Sequence, residues 1–494
     1  MGYNLGNSAI TGMLWRSGEQ FLSYFIRFVA DIIIARILLP EDYAVIGLAS
    51  SINNLINPIV VGGLGMGLIY QRKNTDKDYN TVFVYNMAAS IFFVIIIILF
   101  APFFSRILNC PRLIWPLRLL TIQILCGSLI VVNNALMLKE LDFKKRSIID
   151  LVMTLSGSTT TVAMCFYLRN EYCYVWGIGV SNIINVILMH KYTKWKPALE
   201  FSLENFKKIF KYSSKIFLSN ELSVISKNIT QILSSHYFDK SILAFYMKGA
   251  MFPTQLMVLL DGSINYVMFP VFSKINNNIE ELKEYFVKCI SMSMFFTIPA
   301  LVLLNISSKI WVKVLLTEKW MPIIPYICLI SISVGLWGYS GTLTQLMNAM
   351  GRSSMTFYWK LIGSAIAITN IFIFVPHGIK VLLIASIVSA YAQMIFFTIY
   401  CRKVIKFSIL KILASVLKTF LSTGISTAIY FIVLYNIPNF YPILTLIILF
   451  IVYAITYLTT CYMIHDSNFI FLWNKVLFFF STMQKQSINS SSKN

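Results

Sequence analysis

The chain has 494 residues, of which 57% are hydrophobic and only 12% charged. A soluble protein carries about 25% charged residues, and disorder needs low hydrophobicity with high charge, so both classes are excluded. The net charge of +21 is scattered between apolar runs rather than gathered on one basic domain, which argues for membrane topology and an anionic ligand, not for nucleic acid.

A bilayer-crossing helix needs about 20 mostly apolar residues. The sequence supplies fourteen such segments, at approximately 14–36, 43–69, 80–105, 117–138, 148–168, 172–190, 210–235, 241–270, 286–306, 323–348, 357–376, 379–401, 411–435 and 441–464. The first is broken by charges and lacks a small-residue cleavage site, so it reads as a retained span, not as a signal peptide. The run Thr419 to Ile464 is uncharged but too long for one crossing, and Asn436-Ile437-Pro438-Asn439 divides it. The runs are continuous, not alternating, which excludes a closed barrel. The expected class is all-α, a polytopic membrane protein. The eight cysteines form no CxxC pair and the four histidines are isolated, so small buried thiols are expected and no metal site.

Span 1 carries Arg16, Gln20, Ser23, Arg27 and Asp31 at steps of four, three, four and four, one stripe of a helix. A charge at mid-bilayer costs about 2.5–3.5 kcal/mol, so the stripe should face protein or water. Arg27 and Asp31 could instead simply pair with each other. Between spans 1 and 2, Pro40 suits a tight turn, and Glu41 and Asp42 suit the following helix N-terminus. Gly62, Gly63, Gly65 and Gly67 in span 2 lack a P-loop lysine and read as close packing or bending. The longest inner loop, roughly 191–209, runs with Phe201, Phe206, Ile209 and, at its end, Phe210 among lysines, which suggests a short amphipathic helix in the interface. Span 7 repeats the stripe with Lys215, Ser219, Ser223, Lys227, Thr230 and Ser234. Span 8 adds Lys248 and, two turns on, Gln255; Asp261 points elsewhere by helical angle.

Loops after even-numbered spans hold nineteen Lys and Arg, and those after odd-numbered spans eight. By the positive-inside rule both termini are cytoplasmic. Spans 1–6 and 7–12 look like two copies offset by about 200 residues. Tyr43-Ala44-Val45-Ile46 matches Leu243-Ala244-Phe245-Tyr246, Ser23 matches Ser223 and Arg27 matches Lys227. Six spans is an even number, so the copies enter from the same side, as parallel repeats around a central cavity. The expected divisions are an N-lobe at 1–195, a cytoplasmic interfacial linker at 196–209, a C-lobe at 210–405, an extra span pair at 406–465 and a cytoplasmic tail at 466–494, ending in a polar run from Ser487 to Asn494.

Trp15, Ala35-Arg36-Ile37-Leu38-Leu39-Pro40-Glu41-Asp42-Tyr43, Gly63-Leu64-Gly65, Leu68-Ile69-Tyr70-Gln71-Arg72-Lys73, Asp78-Tyr79-Asn80-Thr81-Val82-Phe83 and Leu141-Asp142-Phe143-Lys144 stand in this order. Phe269-Pro270, Glu318-Lys319-Trp320 and Gly351-Arg352-Ser353 follow in the second half. In this set the chain resembles the Wzx-type polysaccharide flippases, exporters of O-antigen and lipopolysaccharide units in the multidrug/oligosaccharidyl-lipid/polysaccharide superfamily. The resemblance implies a flippase in the bacterial inner membrane. It would carry an undecaprenyl-diphosphate-linked oligosaccharide to the outer face by alternating access, for lipopolysaccharide, capsule or exopolysaccharide assembly. Its partners would be that lipid-linked oligosaccharide, membrane lipids and other polysaccharide-assembly proteins, with no nucleic acid.

On this reading Arg16, Arg27, Lys227 and Lys248 attract the pyrophosphate, and Gln255 and the stripe hydroxyls serve the glycan. No cofactor is implied and no nucleotide motif is present; proton or sodium coupling would fall to Asp31, the one acid on the stripe of span 1. Two rivals stay open: a cation- or drug-coupled antiporter of the same superfamily, whose site should be acidic or apolar, and a polytopic glycan-assembly enzyme, which would need larger outer loops.

Overall fold

A computed structural model describes residues 2–71, 74–140, 142–193, 195–275, 278–437 and 441–474. Every regular element among them is helical. The long helices in chain order are α1 (Gly2–Ile37), α2 (Pro40–Asn57), α3 (Asp76–Ile107), α4 (Ile122–Lys139), α5 (Phe143–Leu168), α6 (Tyr172–Tyr192) and α7 (Leu203–Tyr237). They continue with α8 (Lys240–Ile275), α9 (Ile279–Ile306), α10 in two pieces (Ile324–Val334 and Trp337–Ala349), α11 (Ser353–Phe374), α12 (Ile379–Ile405), α13 (Ile409–Asn436) and α14 (Pro442–Met463). Twelve segments among the described residues are long and apolar enough to cross a membrane. The two long helices outside that set, α1 and α7, are those with the charged stripes.

The α1–α2 junction lies between Ile37 and Pro40, and the α7–α8 junction between Tyr237 and Lys240, 200 residues later. Ala44 and Ala244, one turn into α2 and α8, are both fully buried.

The chain forms two contact units. The first comprises Met1–Lys248 and Lys360–Ala385. Its core joins Ala44, Leu48 and Ile52 of α2 to Ile97 and Ala101 of α3 and to Leu243 and Ala244 of α8. The opposite face of α3 leaves Phe92, Leu99 and Phe103 exposed, as a lipid-facing helix should. After Asn57, α2 passes through a π-helical turn, Pro58–Gly62, into a further helix, Gly63–Tyr70. There a Cβ on Gly65 would lie 3.0 Å from Val131, so that glycine lets the span pack closely. Helices α5 and α6 meet through small residues. A Cβ on Gly177 would lie 1.8 Å from Thr161 Oγ1, and one on Gly157 would lie 2.9 Å from Ser181. Each helix thus presents small residues four apart, which lets the backbones approach.

The α1–α2 turn is built as its sequence suggests. Pro40 opens α2, and Asp42 Oδ2 accepts the Leu39 N–H at 2.9 Å. Asp42 Oδ1 also accepts from Arg112 at 2.6 Å, and Arg112 forks onto Glu171 at the start of α6. One guanidinium therefore ties three helix ends. Asp42 and Glu171 are buried and Arg112 is half exposed. Arg112→Ala would leave two buried carboxylates unpaired, and a loss of about 2–3 kcal/mol is expected, read as a lower thermal unfolding midpoint in detergent. Arg112→Lys should recover only part of it, because a point charge cannot fork.

The 196–209 linker departs from expectation. No separate amphipathic helix forms, because Leu203 already begins α7 and Ser202 caps it. The extended stretch before it is strapped to α3: Asn80 Oδ1 accepts the Ala198 N–H at 3.2 Å and Thr81 Oγ1 accepts the Ser202 N–H at 3.1 Å. Trp195 packs on Phe83 and Phe206 on Tyr85. Of the residues that suggested an interfacial face, Phe206 and Ile209 pack into this core, while Phe201 and Phe210 stay exposed.

The second unit comprises Gly249–Trp359 and Ser386–Asn494. Phe286 and Ile290 of α9, Leu343 and Leu346 of α10 and Phe397 and Cys401 of α12 form its core. Residues 467–474 form a further helix, whose Phe469 and Leu472 pack on Phe295 and Tyr457. The polar run Ser487 to Asn494 lies outside the described residues.

Candidate functional site

The stripe on α1 is divided among several neighbours. At the lower-numbered end, Arg16 Nη1 contacts Asp150 Oδ2 of α5 at 2.5 Å and Glu19 Oε2 at 3.0 Å. Asp150 is shared with Arg146 at 3.0 Å, and Ser23 donates to Glu19 at 2.8 Å. Two guanidinium groups here meet two carboxylates. Arg16, expected as a ligand cation, is thus neutralised within the protein.

At the other end, Asp31 meets Lys248 of α8 in an ion pair. Tyr174 of α6 donates its hydroxyl to Asp31 Oδ1 at 3.1 Å. The Lys248 ammonium lies 4.4 Å from the ring centre of Tyr43, which packs edge-on against Tyr174 at 5.7 Å. Lys248 is only 3% exposed. The sequence reading made Lys248 a pyrophosphate ligand and Asp31 a coupling acid; here the two satisfy each other. A charge pair at this depth holds only because both members are paired and further hydrogen bonds surround them. The alternative pairing of Asp31 with Arg27 is not the one formed.

Between the ends lies Arg27. Its Nη2 donates to Thr154 Oγ1 of α5 at 3.1 Å, and the residue is exposed. Among the described residues of this stripe, Arg27 is the cation with no carboxylate within ion-pair distance. It stands eleven residues from Arg16, about 16 Å along the helix. Its surroundings offer hydroxyls: Thr154, and Ser23 one turn back on the same helix.

The remaining residues divide. Lys227 lies on α7, but its side chain is outside the described residues, as are those of Lys215, Ser219 and Ser223. Gln255 is half-buried on α8, in the second contact unit, while Lys248 belongs to the first. Asp261 is buried in the second unit, where Ser293 donates to it at 3.4 Å. Gly338 leaves the room: a Cβ there would fall 2.8 Å from Asp261 Oδ1. Six of the eight cysteines are buried.

Sequence reasoning missed Glu19, Asp150, Thr154 and Tyr174. A signal existed in α5, where Arg146, Asp150 and Thr154 recur at steps of four and form a second polar stripe facing that of α1.

A helical membrane protein with a charged stripe that meets its own neighbouring helices, one cation of it without a carboxylate partner among the described residues, defines a transporter-like class. A family model described as polysaccharide biosynthesis protein matches residues 33–325, and the chain belongs to that family. The lipopolysaccharide biosynthesis protein WzxC of Escherichia coli (strain K12) is 21% identical over 375 residues, 76% of this chain and 75% of that protein. The succinoglycan biosynthesis transport protein ExoT of Rhizobium meliloti (strain 1021) is 20% identical over 359 residues, 72% of each chain. Among solved structures, the inward closed conformation of the lipid II flippase MurJ superposes with a TM-score of 0.74 at 15% identity, covering 93% of this chain and 99% of that one. An inward-facing multidrug resistance MATE family transporter of the MOP superfamily follows at 0.61 and 15%, covering 78% and 94%. The fold is that of these carriers, with α1 and α7 as its charged members.

Proposed function

We propose that this protein is a flippase that moves an undecaprenyl-diphosphate-linked oligosaccharide across the bacterial cytoplasmic membrane by alternating access, and that Arg27 meets the diphosphate. The observation that carries the reading is the exposed guanidinium of Arg27, without an ion-pair partner among the described residues, on a stripe whose other charges, Arg16 and Asp31, are paired. A diphosphate needs a charge-assisted donor, and a guanidinium presents a fork that matches phosphate oxygens. Thr154 holds the fork from one side. The hydroxyls of the stripe serve the glycan, and Lys227 occupies the matching place in the second repeat. The relatives' names place them in lipopolysaccharide and succinoglycan biosynthesis, and MurJ is a lipid II flippase. The chain acts as a carrier and not as an enzyme. A cation- or drug-coupled antiporter fits less well, since Asp31, the one acid of the stripe, is occupied by Lys248.

Fourteen crossings, two parallel six-helix lobes at 1–195 and 210–405, and cytoplasmic termini complete the proposal. The charge bias of alternate loops supports it. Single cysteines introduced at Lys144 and Lys313 in a background without native cysteines should react with an impermeant maleimide at 313 and not at 144 in intact cells. Labelling at 144 alone would invert the orientation. The function itself is tested in a strain lacking its own polysaccharide flippase. Expression of this chain should restore surface glycan and deplete the lipid-linked intermediate; glycan absent at normal protein level, for every glycan type offered, would refute the assignment.

A further inference from the structure

The second contact unit contains a cavity of about 780 Å³ that the proposed flipping site does not use. It lies where the first turns of α9, the α12–α13 turn and helix 467–474 come together. Four lysines line it: Lys283, Lys288, Lys406 and Lys411. Two glutamates, Glu280 and Glu284, line it too, so the wall is two charges more positive than negative. Glu280 is taken up by Lys283 at 2.5 Å.

The floor is polar and built. Ser291 and Asn468 are 4% and 3% exposed, and Asn468 Nδ2 donates to Ser291 Oγ at 2.6 Å. Ser291 also bonds Ser415 of α13. The walls are held in place. Lys406 ends α12 in a left-handed conformation (φ 59°), its N–H on the Arg402 carbonyl at 2.8 Å. The next residue, Phe407, is buried edge-on against Phe286 at 4.8 Å. That turn brings in Ser408, the cap of α13, so the N-terminal end of a 28-residue helix opens on the cavity. The N–H groups and dipole at a helix start favour an anion. The Lys288 ammonium lies 3.5 Å from the ring centre of Phe471, which fixes its position on the opposite wall.

The surface beside the cavity is apolar. Leu410, Leu413 and Leu417 follow one face of α13 from the cavity mouth and are 78%, 58% and 57% exposed. A soluble anion would not use them; acyl chains would. We infer that this cavity binds the phosphate head of an anionic phospholipid, with its chains along Leu410, Leu413 and Leu417. Basic pockets between membrane helices suit such heads, and on the proposed topology this end of the unit faces the cytoplasmic leaflet. The inference is independent of the role of Arg27.

The test uses the full chain in neutral detergent, with phosphatidylglycerol and phosphatidylcholine added in parallel and bound lipid counted by native mass spectrometry. Phosphatidylglycerol should be retained and phosphatidylcholine washed away. Each lysine near an anionic lipid contributes a factor of about five, so the combined Lys288→Gln, Lys406→Gln and Lys411→Gln variant should bind on the order of a hundredfold more weakly. These lysines are exposed and the variant's unfolding midpoint should match the parent's; Leu413→Asn with Leu417→Asn, lysines intact, should weaken lipid retention separately. Equal retention of phosphatidylcholine, or unchanged binding by the lysine variant, overturns the site. Displacement of the lipid by inorganic phosphate or pyrophosphate would make it a site for a free anion and overturn the lipid assignment.

Discussion

Lys248→Ala is expected to cost about 3–5 kcal/mol of stability, because Asp31, its side chain only 15% exposed, would be left with no cation to compensate it. The Tyr43 ring would lose its cation as well, though that contact contributes less. The readout is the unfolding midpoint of purified protein in detergent, together with the amount recovered from membranes. Asp31→Ala should do similar damage from the other side, stranding the ammonium. The combined variant Asp31→Leu with Lys248→Met should recover most of the loss, because two apolar groups of similar volume need no pairing. A double-mutant cycle would then show strong coupling between Asp31 and Lys248. Between Asp31 and Arg27 it should show little, although these two are near neighbours on one helix. Strong coupling of Asp31 to Arg27 would mean that the stripe pairs within α1 and that the arrangement around Lys248 is wrong.

Arg27→Ala is expected to behave in the opposite way. Protein level should hold, since the one described hydrogen bond lost is to Thr154 and no carboxylate is stranded. Transport should fall by about ten- to a hundredfold, the range for loss of a charge-assisted hydrogen bond to an anion. Arg27→Lys should keep part of the activity, since an ammonium still attracts the diphosphate but cannot fork. Thr154→Val should lower transport modestly by loosening the guanidinium.

The contrast between these two residues shows what the sequence made legible. The stripe itself was readable because helical spacing alone puts Arg16, Ser23, Arg27 and Asp31 on one face. The junction at Pro40 was readable because its proline and acids act within one turn. The division of the uncharged run 419–464 was readable from its Asn-Pro signal, and α13 ends at Asn436 and α14 begins at Pro442. Partnership across the chain was not. Asp31 and Lys248 are 217 positions apart, and nothing local marks that pair. Successive turns of α1 face different neighbours: α5 meets Arg16 and Arg27, while α6 and α8 meet Asp31. One stripe therefore holds one cation that is paired, Arg16, and one that is not, Arg27, and only packing could tell them apart. The same holds around the start of α7, where Trp195 and Phe206 pack on α3 in a way no periodicity announces.

The central claim is tested most directly in proteoliposomes that contain this chain and an undecaprenyl-diphosphate oligosaccharide with a labelled glycan. A membrane-impermeant glycosidase added outside cleaves the glycan only in the outer leaflet. In protein-free vesicles about half the label should stay protected for the length of the assay. With the wild-type chain the protected half should become cleavable, and with Arg27→Ala at equal protein content it should stay protected. Protection that persists with the wild-type chain, or that Arg27→Ala relieves as fast as wild type, would contradict the account.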